Sequence, residues 1–233
     1  MKGKLFGLGV GPGDPELLTL KALRLIRESE VIAVPGNNVK ESVAYKIVKG
    51  AYDGLDEKEL IPVAMPKTKD KKVLEANHDK AADDVEARLK EGKNVAFLTL
   101  GDPTVYSTYL YVHKRIVERG YEAEIVSGIT SFCAVAARLN MGLVEMAEPL
   151  HVIPATYNAD TMDDILKLPG TKVLMKTGKK LKQVRESILE SGQAAVMIED
   201  CGMPTEKIYE CAEDIPEQSG YYSLIIAKEK ETL

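Results

Sequence analysis

The chain of 233 residues is 45% hydrophobic and 29% charged, which is typical of a folded globular protein and unlike a disordered one. Its net charge of -5 at pH 7 disfavours nucleic acid as a partner, because nucleic-acid-binding proteins usually present a basic face. The sequence has no run of about 18 apolar residues and no signal peptide at its start, so we expect no membrane partner and a cytoplasmic location.

Short β-rich apolar runs alternate with helical patterns over the first two thirds of the chain, which is typical of a mostly parallel α/β sheet. The predicted strands are Leu5–Val10, Val31–Val34, Leu60–Val63, Asn94–Leu100 and Glu122–Val126. Between them, apolar residues recur at helical spacing, beginning with Leu18, Ala22 and Leu25. The charged run Lys67–Lys72 is interpreted as a solvated loop or helix start, with an electrostatic rim for an acidic substrate as the alternative.

A domain boundary is expected near Pro149, separating an N-terminal α/β domain (residues 1–147) from a C-terminal α/β domain (residues 148–233). The strands predicted in the second domain are Leu150–Ala155, Lys172–Met175, Ala194–Glu199, Lys207–Cys211 and Tyr221–Ala227. No helical pattern separates the last two strands, so the second sheet is predicted to be mixed. We expect a cleft between the two domains.

Cysteines and histidines are few and scattered along the chain: Cys133, Cys201, Cys211, His78, His113 and His151. The cysteines are odd in number and none lies in a C-x-x-C pair, so the sequence predicts neither a disulfide framework nor a zinc site. We interpret the histidines as structural and predict no metal site. A site assembled from distant histidines is the alternative.

The first predicted strand runs into a glycine-rich turn, "LFGLGVGPGDPELLTLKALRLI", in which every second residue from Gly7 to Gly13 is glycine. A dinucleotide fingerprint is disfavoured, because its third glycine position holds Asp14 when counted from Gly9. The second strand also ends in "AVPGNN", without the expected carboxylate, and no Gly-Lys-Ser/Thr follows to make a P-loop. Gly11 and Gly13 either admit a ligand or take positive φ, and Asp14 either caps the next helix or serves a ligand.

Two further stretches place polar residues at the ends of predicted strands. In "FLTLGDPTVYST" a buried strand ends before Asp102, and a helix is predicted to begin at about Thr104. Asp102 is interpreted as a ligand contact at the carboxyl edge of the sheet, with capping of that helix as the alternative. In "IVSGITSFCAVAARL" a strand breaks at Gly128, and Thr130 and Ser131 begin a helix of small residues. Because ligands of parallel sheets bind outside the carboxyl ends of strands, we expect the three loops to converge on one cleft.

The ordered set "GVGPGDPELLTLKAL", "LGDPTVYST", "VSGITSFCAVAARL" and "VLMKTG" resembles the tetrapyrrole (precorrin) methylases, over almost the whole chain. Within that family, "GDPTVYSTYLYVHKRI" and "EIVSGITSFCAVAARLN" are most similar to the subgroup that methylates carbon 20 of precorrin-2, metal-free or cobalt-bound. The chain departs from many members at Leu100, where they carry a second glycine. The resemblance implies a homodimer, a tetrapyrrole substrate of cobalamin biosynthesis, and S-adenosylmethionine as methyl donor in the cleft between two α/β domains.

By motif matching, the resemblance also implies a set of methyl-donor contacts: Pro12, Leu100, Gly101, Asp102, Val105, Thr130, Ser131, Met175 and Gly202. One register stays open, because Lys176 could take the position given to Met175. The resemblance further implies that the glycine-rich loop lines the substrate trough, and cations at the rim suit a substrate with several carboxylates. The substrate contacts are then Gly11, Gly13, Asp14, Lys67 and Lys69.

Methyl transfer from a sulfonium to an electron-rich carbon needs alignment and exclusion of water, and needs no protein nucleophile. A base would only handle a proton, and the candidates are Asp14, Tyr106 and Glu145. Three alternatives stay open, because fold alone does not give function. They are a methylase acting at another position of a corrin precursor or on uroporphyrinogen, a methylase of this fold acting on a macromolecule, and a non-catalytic tetrapyrrole-binding module.

Overall fold

The computed structural model describes residues 2–64, 66, 68 and 70–229. The chain divides into two compact units, Met1–Thr130 and Ser131–Leu233, each with its own sheet. This division lies before the boundary expected after residue 147. The reason is helix Ser131–Arg138, whose Val135 and Ala136 pack into a hydrophobic cluster of the second unit.

The first unit is built on a five-stranded sheet in which every recorded strand pair is parallel. Its strands are β1 (Leu5–Gly9), β2 (Val31–Pro35), β3 (Glu59–Val63), β4 (Val95–Thr99) and β5 (Ala123–Val126), in the order β3-β2-β4-β1-β5. The five predicted strands and the parallel sheet are confirmed. β4 lies in the middle and is buried along its whole length, as expected where helices cover both faces of a parallel sheet.

Helices cover the two faces of this sheet in sequential pairs. They are α1 (Leu20–Glu28), α2 (Val43–Ala51), α3 (Lys71–Lys90) and α4 (Tyr109–Glu118). α1 begins after Thr19, whose Oγ1 accepts a hydrogen bond from the Ala22 amide at 3.2 Å. α1 and α2 pack into the cluster that contains Leu98, whereas α3 and α4 pack into the cluster that contains Phe97. Because neighbouring strand residues point to opposite faces, the two pairs lie on opposite sides of the sheet.

This arrangement marks the carboxyl ends of β1 and β4 as a ligand position. The two strands are neighbours, but the chain leaves β1 towards α1 on one face and β4 towards α4 on the other. Ligands of open α/β sheets bind outside the carboxyl ends of strands whose connections diverge in this way. The fold therefore places residues 10–14 and 100–105 where a ligand is expected.

The second unit contains a mixed five-stranded sheet, as predicted. Its strands are β6 (Leu150–Pro154), β7 (Thr171–Met175), β8 (Ala194–Glu199), β9 (Lys207–Tyr209) and β10 (Ser223–Lys228), in the order β6-β7-β10-β8-β9. β6 and β7 are parallel, whereas β8 lies between β9 and β10 and is antiparallel to both.

The helices of the second unit are α5 (Ser131–Arg138), α6 (Ala155–Asn158), α7 (Met162–Leu166) and α8 (Leu181–Ser191). α5 packs on the sheet face that carries Val173 and Ile226, and the other three pack on the face that carries Leu174 and Ile225. Within the described residues, no helix combines the length and the apolar character needed to span a bilayer.

Candidate functional site

Three strand-end loops, residues 10–14, 100–105 and 127–130, follow β1, β4 and β5. The first two are joined by a short backbone pairing: the Gly101 amide donates to the Gly11 oxygen at 2.8 Å, and the Gly11 amide donates to the Gly101 oxygen at 3.3 Å. The φ angles of Gly11 and Gly101 are +78° and +71°, which side-chain-bearing residues rarely adopt. The backbone conformation therefore favours glycine at both positions.

The alternating glycines of β1 are explained by close contacts. A Cβ on Gly7 would overlap the buried ring of Tyr109. A Cβ on Gly9 would lie 2.5 Å from the Gly128 nitrogen and 2.7 Å from the Gly101 oxygen, closer than packed atoms approach. The backbones of the second and third strand-end loops thus meet the end of β1 with no side chain between them. The expected convergence of the three loops is confirmed within the first unit.

Asp102 connects two strand-end loops through its carboxylate. Oδ1 accepts hydrogen bonds from the Thr104 amide at 2.7 Å and from Thr104 Oγ1 at 2.5 Å. Oδ2 accepts from Ser127 Oγ at 2.5 Å and from the Gly128 amide at 3.0 Å. Burial, with only 5% of the residue exposed, raises the pKa of the carboxyl, but these hydrogen bonds outweigh burial and hold the pKa below its usual value. Asp102 is therefore ionised at neutral pH.

The segment after Asp102 is not helical, which corrects the helix start predicted at about Thr104. α4 begins at Tyr109, and turns and bends at residues 103–106 and 108 precede it instead. The capping alternative for Asp102 is therefore wrong: its carboxylate closes a turn by holding both donors of Thr104. Within this segment Tyr106 has a φ of +49° and is 48% exposed. Non-glycine residues held in this strained region cluster at functional sites.

Two buried hydroxyls at this edge have no hydrogen-bond partner among the described residues. They are Thr130 Oγ1, at the end of the third strand-end loop, and Thr99 Oγ1, at the end of β4. An unsatisfied buried hydroxyl costs about 1–3 kcal/mol, so a polar ligand group is favoured beside it. A Cβ on Gly101 would meet only the Ile129 oxygen, at 3.9 Å, so the backbone there faces open space. These residues fit a compact polar ligand such as the S-adenosylmethionine that the resemblance implies.

Asp14 caps a single turn at the end of the first strand-end loop. Its Oδ1 accepts a hydrogen bond from the Glu16 amide at 2.8 Å, at the start of the turn Pro15–Leu17. Pro12 and Gly13 before it are buried, and Asp14 itself is half-buried. The capping role expected for Asp14 is thus present at one carboxylate oxygen, and its role towards a ligand stays a prediction.

The methyl-donor contacts predicted in the second unit lie at the ends of its helices and strands. Ser131 is the first residue of α5, Met175 is the last residue of β7, and Gly202 lies in the turn after β8. β7 and β8 are both antiparallel to β10 between them, so their carboxyl ends share one edge. At that edge Lys176 and Asp200 have φ angles of +58° and +55°, and the Gly202 amide donates to Glu206 Oε2 at 2.8 Å. The assignment of a methyl-donor contact to Met175, with Lys176 as its alternative, stays a prediction.

The remaining predicted residues are dispersed. Glu145 is exposed, in a loop held by Glu148, whose Oε2 accepts the Glu145 amide at 3.1 Å and whose Oε1 accepts Thr171 Oγ1 at 2.8 Å. Lys67 and Lys69 lie outside the described residues. Across the described part of the chain, no three His, Cys, Asp or Glu side chains are grouped so as to hold a metal ion.

Four residues of the arrangement carried no functional prediction: Gly9, Thr99, Ser127 and Gly128. The glycines at every second position of β1 could have indicated the role of Gly9, because a glycine inside a strand often marks the close approach of another backbone. The Ser-Gly pair after β5 was the signal for Ser127 and Gly128. No local pattern distinguishes Thr99 from any other strand threonine.

Comparison with known proteins adds to this geometry. A family profile described as Tetrapyrrole (Corrin/Porphyrin) Methylases matches residues 4–215. The probable cobalt-precorrin-2 C(20)-methyltransferase of Methanocaldococcus jannaschii is 43% identical over 175 residues, which cover 75% of this chain and 72% of that protein. The cobalt-precorrin-2 C(20)-methyltransferase of Salmonella typhimurium is 31% identical over 237 residues, which cover 99% of this chain and 98% of that protein.

A solved structure has the same fold. The uroporphyrin-III C-methyltransferase of Thermus thermophilus, complexed with S-adenosylhomocysteine, matches with a TM-score of 0.72 and 22% identity, covering 97% of this chain and 98% of that one. At this identity the likeness bears on fold alone, and the family assignment rests on the profile and on the two relatives. On that ground the chain belongs to the tetrapyrrole methylase family.

Proposed function

We propose that the protein is an S-adenosylmethionine-dependent methyltransferase that methylates carbon 20 of precorrin-2, metal-free or cobalt-bound, in cobalamin biosynthesis. The observation that carries this proposal is the likeness to two proteins named for that reaction, at 43% identity to one and with 98% of the other covered. The diverging connections of β1 and β4 support a small-molecule site at the edge where the family motifs lie.

In the first unit, the proposed methyl-donor contacts are Pro12, Leu100, Gly101, Val105 and Thr130. The open space beside Gly101 and the unpartnered hydroxyl of Thr130 support two of them. The resemblance also assigns Asp102 to the donor, but its carboxylate is engaged by protein donors, which leaves the backbone of this residue as the contact. Ser131, Met175 and Gly202 of the second unit are proposed on the resemblance alone.

The part that this chain plays in the chemistry is alignment and exclusion of water. Bound S-adenosylmethionine supplies an electrophilic methyl group and leaves as a neutral thioether. The Gly11–Gly101 pairing and the hydrogen bonds of Asp102 fix the strand-end loops before any ligand binds, which lowers the entropic cost of alignment. Because the acceptor carbon of a reduced tetrapyrrole is already electron-rich, no side chain acts as a nucleophile.

Proton handling is proposed for Asp14 or Tyr106 in preference to Glu145. Asp14 and Tyr106 lie on or beside the two loops joined by the glycine pairing, so both can face a ligand held there. A general base has to come within hydrogen-bond reach of the proton that it takes. Glu145 lies in an exposed loop, and nothing beyond that position supports a role for it in proton handling.

For the substrate, we propose that Gly11, Gly13 and Asp14 line the trough and that Lys67 and Lys69 bind carboxylates of the tetrapyrrole. The next lysines of the same run, Lys71 and Lys72, are exposed at the start of α3, which supports a cationic rim. Ion pairs and charge-assisted hydrogen bonds to carboxylates would then orient the macrocycle.

We further propose that the enzyme is a homodimer in the cytoplasm. The homodimer is proposed on the family resemblance. The cytoplasmic location is supported by the three cysteines, which are free thiols as expected in a reducing compartment.

The test is incubation with methyl-labelled S-adenosylmethionine and either metal-free or cobalt-bound precorrin-2, followed by NMR location of the new methyl group. We expect one labelled methyl at carbon 20 in at least one of the two substrates. A methyl at another carbon, or on uroporphyrinogen only, would reassign the chain to a different reaction of the family. Tetrapyrrole binding without label transfer would identify a non-catalytic binding module.

A further inference from the structure

The carboxylate of Asp102 has no acceptor site left for a ligand. An ionised carboxylate offers about four lone-pair sites, and this one receives four hydrogen bonds, two from Thr104 and one each from Ser127 and Gly128. The donors at Oδ2 lie 25 and 26 residues along the chain. The side chain therefore joins two loops that follow different strands, β4 and β5.

The connection lies where the backbones of three strand ends pack closely together. The Gly128 backbone is packed against Gly9 and against the Gly101 oxygen so closely that a Cβ on Gly128 would overlap both. Gly128 has no side chain to pack, so the hydrogen bond from its amide to Asp102 Oδ2 adds to these backbone contacts in fixing its position. Two residues further on lies Thr130, whose buried hydroxyl has no partner among the described residues.

We propose that Asp102 is a positioning residue, which fixes loop 127–130 against loop 100–105 so that Thr130 and the Gly101 backbone face the methyl donor, while its carboxylate does not touch the donor. The proposal rests on the proposed function. It replaces the direct side-chain contact that motif matching assigns to Asp102 with an indirect one.

The test compares Asp102→Asn with Ser127→Ala and Thr104→Val. Asp102→Asn keeps the shape of the side chain but turns two acceptor sites into donors that face other donors. Ser127→Ala and Thr104→Val each remove one hydrogen bond and leave the charge in place, so they stay informative if Asp102→Asn folds poorly. Calorimetry then measures S-adenosylhomocysteine affinity for each variant, together with analogues that lack the ribose 2′-hydroxyl, the ribose 3′-hydroxyl or the amino group.

We expect Asp102→Asn to weaken S-adenosylhomocysteine binding about ten- to a hundredfold, the range for lost hydrogen bonds to a charged group. The same factor should be lost for every analogue, because no ligand group touches the carboxylate. Ser127→Ala should weaken binding in the same direction, and the double variant with Asp102→Asn should bind no worse than Asp102→Asn alone. An analogue whose affinity is insensitive to Asp102→Asn would reveal a direct contact and overturn the proposal, as would additive losses in the double variant.

A ligand-free measurement separates this proposal from the proposed function. In Asp102→Asn, amide hydrogen exchange at residues 127–130 should rise several-fold, while exchange in β7 of the second unit stays unchanged. Unchanged exchange at 127–130 would overturn the positioning role even if the enzyme is a methyltransferase. Failure of the wild-type protein to bind S-adenosylhomocysteine, with faster exchange in the variant, would overturn the donor assignment and leave only the connection between the loops.

Discussion

At the scale of single residues, glycine is needed in β1 for space rather than for flexibility. Gly7 leaves room for the Tyr109 ring, and Gly9 leaves room for the backbones of Gly101 and Gly128. Neither Gly7 nor Gly9 is among the glycines with positive φ. Substitution at these positions therefore acts through overlap, which a packed interior cannot relieve.

Gly9→Ala is expected to lower the free energy of unfolding by about 2–3 kcal/mol, at the upper end of the range for overpacking, and to weaken S-adenosylhomocysteine binding as well. The matched control is Gly120→Ala, because Gly120 has a φ of +77° but a Cβ at this position would meet nothing within 4 Å. The control should cost only backbone strain, about 1 kcal/mol, with donor affinity unchanged. Urea unfolding and calorimetry measure the two effects, and equal behaviour of the variants would contradict the overlap argument.

Opposite effects on stability are predicted for substitution of two buried lysines of the second unit. Lys172 is fully buried and its Nζ has no hydrogen-bond partner among the described residues, whereas Lys228 Nζ donates to the Gly142 oxygen at 3.2 Å and lies 3.7 Å from Glu148 Oε2. Lys172→Met should raise the free energy of unfolding at pH 7 by about 1–3 kcal/mol, because it removes an unsatisfied polar group. Lys228→Met should lower it by about 2 kcal/mol or more, because it leaves Glu148 without its cation.

The pH dependence gives Lys172 a second test. Burial lowers the pKa of Lys172, against a smaller opposing effect of Glu229 and Glu148. The folded protein therefore binds fewer protons than the unfolded chain between the lowered pKa and the ordinary value of 10.5, and wild-type stability gains with rising pH across that range. The difference in free energy of unfolding between Lys172→Met and the wild type should therefore shrink as the pH rises. An advantage that stays constant from pH 7 to pH 10 would contradict an unpaired ammonium.

At the scale of elements, an ion-pair cluster ties β5 to the start of β1 and to α1. Glu124 Oε1 lies 2.6 Å from Lys21 Nζ, and Oε2 lies 2.9 Å from Lys4 Nζ. Hydrogen bonds from Lys21 and then Lys4 lower the pKa of Glu124 to about 2. β5 is an edge strand with β1 as its neighbour, so this cluster adds a side-chain link to one backbone ladder.

Since the folded pKa of Glu124 lies below its ordinary value of 4.5, its contribution to stability is present above pH 4.5 and is lost as the pH falls towards 2. The side chain is 32% exposed, so solvent screening limits that contribution to about 1 kcal/mol. Glu124→Gln should remove this part of the acid sensitivity, as measured by thermal unfolding from pH 2 to pH 7. Glu122→Gln is the control, because Glu122 is 84% exposed and 3.8 Å from Lys4, and it should leave the pH profile unchanged.

The elements themselves could be predicted from local sequence, but their connections could not. Strands such as β4 are indicated by runs of apolar residues, and parallel order follows from their alternation with helices. The start of α4 could not be predicted, because the donors of Thr104 are held by Asp102 and a turn forms in place of helix. The role of Asp102 depends on partners at Ser127 and Gly128, which no local window contains.

At the scale of the whole molecule, the division of the chain was predicted in number but not in position. Two α/β units follow from two sets of strands, whereas α5 joins the second unit because Val135 and Ala136 fit a cluster formed by Val173 and Ile226. A helix of small residues carries no local mark of which sheet it will cover. The convergence of the three loops was predictable, because parallel strands bring their carboxyl ends to one edge.

Ligand linkage tests the donor assignment on the intact chain. S-adenosylhomocysteine at about one hundred times its dissociation constant should stabilise the protein by roughly 2.7 kcal/mol, whereas NAD should leave the thermal midpoint unchanged. Two observations support this expectation. The sequence from Gly9 to Asp14 departs from the dinucleotide fingerprint, and the strand ends at Gly101 and Thr130 offer open space and an unpartnered hydroxyl to the methyl donor. A midpoint that rises with NAD and ignores S-adenosylhomocysteine would reverse the assignment.

The turn segment between β4 and α4 has a consequence for laboratory evolution. An added Cβ would overlap neighbouring backbone at Gly9 and Gly128, and the φ of +71° at Gly101 disfavours any side chain, so a selection for new tetrapyrrole substrates should find few tolerated changes at these three glycines. Tyr106 instead is 48% exposed in a segment outside helix and sheet, where a changed side chain disturbs no ladder of backbone hydrogen bonds. A library at Tyr106 should therefore yield altered substrate range with the fold intact, whereas libraries at the glycines should yield only losses.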